Sequence, residues 1–303
     1  MRLTARHLTK AFGEKQVLRG ISFETESGTA LGLLGRNGAG KTTAIRIVMG
    51  VFPSDGGEIL LDGRPLDRAA VRLGYLPEER GLYIKKPILD QLVYFARLRG
   101  LTAAESRRNA RYWLDRVDLA AFAHKRLDTL SKGNQQKIQL VAALQCDPAI
   151  LILDEPFSGL DPVNARLLKN IVKEEIARGK MVFFSSHQMN YIEEFCDQIA
   201  ILNGGHIVLS GGIREIKRSY ERNRLLLSGP ALPAMRDYIR SALSHLVKEM
   251  SEAETQLSVT LTSARHKRDF TAALVGQDFD FDTIQVYEPS LSDIFVEYTE
   301  SAI

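Results

Sequence analysis

Between two apolar segments, the chain reads Gly35-Arg36-Asn37-Gly38-Ala39-Gly40-Lys41-Thr42. This sequence fits the pattern Gly-x4-Gly-Lys-Ser/Thr of phosphate-binding loops. The preceding residues, 29–34, predict a buried strand, and the following residues, 42–49, predict a helix. Since this loop requires a strand before it and a helix after it, we expect the chain to bind a nucleoside triphosphate.

The residue types of this loop indicate how it would bind phosphate. Glycines let several backbone N–H groups turn toward one anion, and the helix N-terminus adds partial positive charge. We expect Lys41 to reach the β- and γ-phosphates and to act in catalysis, and the hydroxyl of Thr42 to ligate Mg2+. The predicted nucleotide-binding residues here are Gly35, Arg36, Asn37, Gly38, Ala39, Gly40, Lys41, Thr42 and Thr43.

Two carboxylates follow a second apolar strand, Ile150-Leu151-Ile152-Leu153. We expect Asp154 to hold Mg2+ beside Thr42. Glu155 would point the other way along the pleat and would orient or deprotonate an attacking water as the catalytic base. The plainer interpretation is a strand that ends in solvated acids. The functional one is favoured because the phosphate loop is predicted on a neighbouring strand of the same sheet.

The order of elements predicts an α/β fold. Residues 1–28 alternate short apolar and polar stretches, with turns at Gly13, Gly20 and Gly28, which is typical of a small antiparallel sheet. Residues 88–146 have helical apolar spacing. Strands at 149–153, 181–185 and 198–202, with a helix at 162–177, predict a parallel sheet with crossover helices.

The chain is expected to contain two domains. We predict a nucleoside triphosphate-binding domain at 1–212, with a helical region at about 85–147, a linker at 213–224 and a C-terminal accessory α/β domain at 225–303. Within the last, strands are predicted at 224–228, 256–262 and 281–287, and helices at 232–250, 266–276 and 291–299.

Composition excludes several classes of protein. The longest apolar runs are five residues, as at 149–153, against about 18 for a membrane span, and the N-terminal residues lack a signal-peptide pattern. Two cysteines, Cys146 and Cys196, cannot form a disulfide framework. A net charge of +3 does not indicate nucleic-acid binding. We therefore expect a soluble cytoplasmic chain.

Further motifs in residues 1–212 resemble those of the ATP-binding subunits of ABC transporters. The segment Leu130-Ser131-Lys132-Gly133-Asn134 stands where that family has the signature Leu-Ser-Gly-Gly-Gln, 23 residues before Asp154. At a helix N-terminus, the hydroxyl of Ser131 and the N–H groups near Gly133 can bind a γ-phosphate; an ordinary helix cap is the alternative. Lys132 and Asn134 depart from the family pattern. A cation at 132 suits a triphosphate held across an interface; a simply solvated side chain is the alternative.

The resemblance extends to five other positions. Asp161, in Ser158-Gly159-Leu160-Asp161, matches the loop that crosses the family's dimer interface, and His187 matches the switch histidine that contacts the γ-phosphate. Phe12 matches the aromatic residue that stacks on adenine, with Val17 beside it; a buried core phenylalanine is the alternative. Glu78 stands where the family has a glutamine, and its carboxylate can also ligate Mg2+.

The resemblance implies a fold and an activity. The fold is that of an ABC-type P-loop ATPase with a parallel-sheet core, an N-terminal antiparallel subdomain and a helical subdomain, followed by a small α/β domain. The activity is hydrolysis of ATP with Mg2+ by a homodimer or a pseudo-symmetric heterodimer, in which the loop of one subunit meets the signature of the other. A non-hydrolysing regulatory binder conflicts with the intact set of Lys41, Asp154, Glu155 and His187.

The resemblance also implies partners. Separate transmembrane permease subunits are expected to dock near residues 80–100, where Tyr83, Ile84, Pro87 and Ile88 form an apolar surface, although a core contact is the alternative. The protein would then lie at the cytoplasmic face of the membrane. Its departures and its C-terminal extension resemble exporter ATPases of the sodium-efflux and drug-efflux branch. The competing function is that of a soluble ABC ATPase acting on ribosomes or nucleic acid.

Overall fold

The computed structural model describes residues 1–79, 81–186, 188–253 and 255–300. The chain divides into two compact units. Unit 1 comprises Met1–Ile213 and the residues from Ile294 onward, and unit 2 comprises Arg214–Asp293.

Unit 1 contains two sheets and the helices around them. Its strands are β1 Arg2–Phe12, β2 Lys15–Glu26, β3 Ala30–Gly35, β4 Gly56–Leu61, β5 Arg64–Pro65, β6 Leu73–Leu76, β7 Ile150–Asp154, β8 Met181–Ser185, β9 Gln198–Asn203 and β10 His206–Gly212. Its helices are α1 Lys41–Met49, α2 Ile88–Leu98, α3 Ala103–Arg116, α4 Lys132–Leu144, α5 Pro162–Ala177 and α6 Met189–Phe195, with 3-10 turns at Ala120–Phe122 and Leu127–Thr129.

The N-terminal sheet is antiparallel, as predicted, with the strand order β2-β1-β4-β5. Gly20 does not form the turn that we predicted. It lies inside β2 with φ +90°, at a register shift against β1. The difference arises because glycine can take up the extra residue of a bulge without ending the strand.

The central sheet has the order β10-β9-β3-β8-β7-β6, and its strands are parallel except for β10 at one edge. Every residue of β3, β7 and β8 is buried, as expected for parallel strands covered on both faces. Because these strands run in the same direction, their carboxyl ends bring the phosphate loop, Asp154 and Ser185 to one edge. Ligands bind at this edge in open α/β sheets.

The helical segment α2–α4 lies within the predicted helical region. Thr102 begins α3 with a capping box, in which its side chain accepts a hydrogen bond from the N–H of Glu105 and the Glu105 carboxylate accepts one from the N–H of Thr102. Among the described helices, none combines the length and the apolar character needed to cross a bilayer.

Unit 2 is built on an antiparallel sheet. Its strands are β11 Arg224–Ser228, β12 Val247–Ala253, β13 Gln256–Leu261 and β14 Thr283–Val286, in the order β12-β13-β11-β14. Helix α7, Ile213–Ser219, precedes it, and α8 Leu232–Ala242 and α9 Lys267–Val275 connect its strands, with 3-10 turns at Ser244–Leu246 and Ala264–His266. Apolar side chains of α8 and α9 pack with those of β11 and β13.

The predicted helix 232–250 is wrong in its second half. Helix α8 ends at Ala242, and β12 begins at Val247. The segment Val247-Lys248-Glu249-Met250 has residues that favour helix, but it pairs with β13 as an edge strand. Tertiary pairing here outweighs local propensity.

The last described helix, α10, spans Leu291–Glu300. The side-chain amide of Asn203, at the end of β9, donates hydrogen bonds to the carbonyl oxygens of Tyr298 and Thr299, both at 3.4 Å. These contacts, together with the burial of Ile294 and Thr299, tie the end of this helix to unit 1. The predicted C-terminal domain, 225–303, includes these residues, and its bounds stay a prediction.

Candidate functional site

A cavity of 740 Å3 lies at the carboxyl edge of the central sheet. It brings together residues from the first strands, the phosphate loop and the end of β7. Its lining residues are Phe12, Lys15, Val17, Asn37, Gly38, Ala39, Gly40, Lys41, Thr42, Thr43, Glu78, Asp154 and Glu155. Twelve of these thirteen were predicted; Lys15 was not.

The conformation of the phosphate loop requires glycine at Gly40. This residue has φ +111°, and a Cβ atom there would lie 2.6 Å from Cδ2 of Leu18 and 3.2 Å from the carbonyl oxygen of Val17. Gly38 has φ +80° but open space around it. The backbone therefore turns into the N-terminus of α1 in a form that side chains at these positions would strain.

Two residues of the predicted loop set do not line the cavity. Gly35 is the buried last residue of β3, where a Cβ atom would lie 2.7 Å from the carbonyl oxygen of Leu202. Arg36 is exposed, and its guanidinium lies 3.3 Å from the carboxylate of Glu300 in α10. Gly35 ends the strand that precedes the loop, and Arg36 lies in the loop but outside the cavity.

The ammonium group of Lys41 is the positive charge next to the phosphate loop. It donates hydrogen bonds to the carbonyl oxygens of Gly35 at 2.6 Å and Arg36 at 3.3 Å. Burial lowers its pKa, while the nearby carboxylates of Glu155, Asp154 and Glu78 act in the opposite direction. The cavity therefore places one partly buried cation beside three acids, which suits a ligand that carries phosphate and metal together.

Asp154 is buried at the end of β7 and accepts a hydrogen bond from the hydroxyl of Ser185. Burial raises the pKa of Asp154; the charge of Glu155 raises it further, whereas Ser185 and Lys41 lower it. Ser185 was not among the predicted site residues, although its position at the end of a strand next to Asp154 could have indicated the contact.

Tyr75, on β6, is a second missed neighbour of Asp154. Burial, with the charge of Asp154, raises the pKa of Tyr75 to about 12. Its phenol therefore stays protonated and can donate a hydrogen bond toward this edge of the sheet.

The cavity offers the oxygen ligands that Mg2+ prefers. The hydroxyl of Thr42 and the carboxylates of Asp154 and Glu78 all line it, and hard oxygen donors with a few carboxylates are typical of Mg2+ held together with phosphates. The residues therefore fit this ion. Glu78 is exposed and follows β6, and its role as a ligand stays a prediction.

Glu155 has a conformation that the sequence did not predict. We expected it on the opposite side of the pleat from Asp154, but β7 ends at Asp154 and Glu155 has φ +49°. Its N–H donates to the carbonyl oxygen of Ser185 at 3.0 Å, and its carboxylate accepts from the hydroxyl of Ser186 at 3.1 Å. A left-handed non-glycine residue held by such contacts is typical of functional sites.

Phe12 forms the far end of the cavity, at the end of β1. Its side chain is 50% exposed, so the alternative of a buried core phenylalanine is wrong. Val17 is half-buried beside it, and Lys15 adds a cation to this end. One open aromatic ring beside a cation fits the base and ribose end of a nucleotide.

The signature residues lie on a different surface. Ser131 begins α4, and its side chain accepts a hydrogen bond from the N–H of Asn134 at 3.3 Å, so the helix cap and the proposed phosphate site coincide. Ser131 and Lys132 are exposed. A Cβ atom on Gly133 would lie 3.6 Å from the carboxylate of Asp161, which caps α5. All five residues of the signature segment, 130–134, are described, and none of them lines the cavity.

His187 lies outside the described residues, so its predicted contact with the γ-phosphate stays a prediction.

The apolar residues predicted to form a docking surface near residues 80–100 differ in exposure, and docking itself stays a prediction. Tyr83 and Ile84 are 55% and 47% exposed, whereas Ile88 is completely buried as the first residue of α2. The prediction for Ile88 is therefore wrong, because this side chain packs into the helical subdomain. The ring of Tyr83 stacks on that of Phe95, with the ring centroids 5.8 Å apart. Pro87 is partly exposed.

Two protein families match this chain. A family model described as "ABC transporter" matches residues 18–158, and one described as "ATP-binding protein DrrA1-3-like, C-terminal domain" matches residues 211–299. The chain is 39% identical to an uncharacterized ABC transporter ATP-binding protein, YhaQ, of Bacillus subtilis, over 97% of each chain. It is 32% identical to the linearmycin resistance ATP-binding protein LnrL of the same organism, over 98% of each.

Further similarities cover about two thirds of the chain or slightly more. A Nod factor export ATP-binding protein of Paraburkholderia xenovorans is 35% identical, over 67% of this chain and 68% of that protein. A solved ATP-binding subunit of an ABC transporter superposes with a TM-score of 0.66 at 30% identity, over 72% of this chain and 92% of its own. A bacterial ABC transporter cassette solved as a dimer superposes with a TM-score of 0.63 at 22% identity, over 70% and 99%.

Proposed function

Because the chain belongs to the ABC transporter family as an ATP-binding subunit that hydrolyses ATP, we propose that it powers export through separate transmembrane subunits by ATP-driven closure of a dimer. The observation that carries this proposal is the separation of the two nucleotide-binding surfaces. The cavity holds the phosphate loop, while Ser131 and Gly133 lie outside it. A second subunit is needed to bring a signature to each cavity.

The residues of the cavity divide the work of binding and hydrolysis. Loop N–H groups and Lys41 bind the phosphates, and Phe12 stacks on adenine with Val17 beside it. Glu155 orients the attacking water and accepts its proton at the carboxylate, and we place His187 at the γ-phosphate. Mg2+, bound by Thr42 and Asp154 with Glu78, neutralises charge on the phosphates when present.

The dimer supplies the remaining contacts. Ser131, Lys132, Gly133 and Asn134 of one subunit would bind the γ-phosphate held by the other, and Asp161 would line the interface. ATP then favours the closed dimer because it contacts both subunits, whereas the products, which lack the γ-phosphate, do not bridge them. The dimer is a homodimer or a pseudo-symmetric heterodimer.

Export is supported by the names of two relatives, a linearmycin resistance protein and a Nod factor export protein. The transmembrane subunits would dock beside Tyr83 and Ile84, next to a groove of 140 Å3 lined by Tyr75, Pro77, Gly81, Leu82, Phe95, Arg99, Gln139 and Ala142. In this arrangement the protein lies at the cytoplasmic face of the membrane.

The test captures the closed complex. Tagged protein with Glu155→Gln is expressed in its own cell, purified in detergent with Mg-ATP, and the co-purifying chains are identified. A matched variant adds Ile84→Asp, which places a charge on the proposed docking surface outside the cavity. We expect a stoichiometric polytopic membrane protein with the first variant, and its loss from the second while the ATP-bound dimer remains.

A soluble ABC ATPase that acts on ribosomes or nucleic acid is the competing function. Ribosomal proteins or nucleic acid in the captured complex, without a membrane protein, would overturn the proposal. Retention of the membrane protein by the Ile84→Asp variant would overturn only the docking surface.

A further inference from the structure

Phe12 is unusual among the cavity residues because a large apolar side chain is held half exposed at a strand end. A ring in that position would lose conformational freedom when a base stacks on it, unless the protein already restrains it. Phe52 provides one restraint: the two rings meet edge to face, with centroids 5.4 Å apart and an interplanar angle of 90°. This geometry is favourable for aromatic pairs and leaves part of the Phe12 ring open.

An ion pair lies beside these rings, with the side chain of Lys10 mostly buried and that of Asp55 46% exposed. The ammonium of Lys10 is 2.6 Å from one carboxylate oxygen of Asp55, and the N–H of Ala11 donates to the other oxygen at 2.6 Å. The N–H of Asp55 donates in turn to the carbonyl oxygen of Thr9 at 2.9 Å. Asp55 thus fixes the backbone and the side chain of the two residues that precede Phe12.

Lys10 also connects the ion pair to both rings. Its ammonium lies 5.6 Å from the centroid of Phe12 and 5.6 Å from that of Phe52, within the range of cation–π attraction. Its side chain is only 12% exposed, so water screens the attraction weakly. Hydrogen bonds from Lys10 and Ala11 hold the pKa of Asp55 below its ordinary value, so its carboxylate is charged at neutral pH.

We propose that Lys10 and Asp55 are positioning residues for the nucleotide base: they hold the Phe12 ring, through Phe52 and the β1 backbone, in the orientation in which adenine stacks on it. This inference rests on the proposed stacking role of Phe12. Neither residue lines the cavity, so each acts through the ring. We therefore expect them to contribute to the affinity for the base and not to the affinity for the phosphates.

The proposal is therefore tested by comparing a ligand that has a base with one that has none. Binding of ATP and of inorganic tripolyphosphate, which has no base, is measured by titration calorimetry for the wild type and for Lys10→Met, which keeps the apolar stem but removes the ammonium. We expect the Kd for ATP to rise about two- to tenfold, from the range of cation–π energies, with the Kd for tripolyphosphate and the kcat at saturating ATP unchanged. Lys10→Arg, which keeps a cation, is expected to restore the affinity for ATP.

The matched control is Glu58→Gln. Glu58, on β4, pairs with Arg6, on β1, at 3.5 Å, and neither lines the cavity, so this variant is expected to leave both affinities unchanged. Equal weakening of ATP and tripolyphosphate by Lys10→Met, or no weakening of either, would overturn the positioning role.

Phe12→Ala separates this inference from the function on which it rests. If Phe12→Ala weakens ATP binding and Lys10→Met does not, the stacking role stands and the positioning role is overturned. If Phe12→Ala leaves ATP binding unchanged, the stacking role fails and the positioning role fails with it.

Discussion

Replacement of Glu155 by glutamine tests the assignment of the catalytic base. Glutamine has the same shape, which matters because the side chain of Glu155 is buried. Its amide oxygen can still accept the hydrogen bond that Ser186 donates at 3.1 Å. The variant therefore loses the ability to accept a proton and the negative charge, with little change in packing.

The expected loss of rate follows from the role of the base. General-base catalysis is typically worth about 10²- to 10⁴-fold, or roughly 2.7–5.5 kcal/mol in the activation free energy. Binding is expected to survive, because the charge of Glu155 is one cause of the raised pKa of Asp154. Without that charge, Asp154 ionises more readily.

Phosphate release at saturating ATP measures the rate, and light scattering with and without ATP measures the dimer. We expect kcat to fall within that range while an ATP-dependent dimer accumulates. Ser186→Ala, which keeps the carboxylate but removes its hydrogen-bond donor, serves as the control and should cost less than tenfold. Hydrolysis by Glu155→Gln at the wild-type rate would remove Glu155 from the mechanism, and loss of ATP binding would refute the argument from charge and shape.

Three further outcomes are expected. Gly40→Ala should lower the free energy of unfolding by more than Gly38→Ala, since both incur a left-handed strain of roughly 1–3 kcal/mol but only Gly40 also meets a neighbouring side chain at 2.6 Å; thermal unfolding and ATP titration measure both effects. Ser131→Ala should reduce kcat about tenfold or more, with little change in ATP binding by the monomer, if its hydroxyl acts across the dimer as we propose; titration and steady-state assays separate the two. Asp161→Ala should lower the Tm by removing the cap of α5, and the difference from the wild type should persist from neutral pH down to about pH 4 and vanish below it. The sign follows because hydrogen bonds from Asn164 lower the pKa of Asp161, so its stabilising effect is present above the unfolded pKa and is lost as the pH falls through the folded one.

For each of these three predictions, one result would contradict the reasoning. Equal destabilisation by the two glycine substitutions would mean that the close approach at Gly40 relaxes without cost. Weaker ATP binding by the monomeric Ser131→Ala protein would place the signature in its own subunit's site. A Tm difference for Asp161→Ala that disappears well above pH 4 would contradict a lowered pKa.

Most residues that line the cavity could be predicted from the sequence because they lie in short continuous motifs. The phosphate loop and the end of β7 each combine a buried strand with polar residues at a fixed spacing, and parallel strands then bring the two motifs to one edge. The contacts that support them were missed. Ser185 and Tyr75 meet Asp154 from neighbouring strands, and such pairings depend on sheet order, which spacing along the chain does not reveal.

The errors in the secondary structure have a common cause. Gly20 is a residue type that favours turns, and the residues of Val247–Ala253 favour a helix. Each nevertheless lies in a strand that pairs with another strand. In both cases the partner strand decides the backbone conformation, because inter-strand hydrogen bonds outweigh a preference of about 1 kcal/mol or less per residue. Strand β10, which was not predicted, also depends on its partner. It pairs with β9 as an antiparallel strand at the edge of the otherwise parallel sheet.

The attachment of α10 to unit 1 has a consequence for the order of folding during synthesis. Residues 214–293, which form unit 2, emerge from the ribosome before the last turn of α10 that Asn203 binds. Domains generally fold as units during synthesis, the N-terminal one first, so most of unit 1 can fold early while the surface that receives Ile294 and Thr299 stays open. Closure of that surface must wait until all of unit 2 has been made, and nascent chains stalled before Ile294 should expose it to proteases or chaperones.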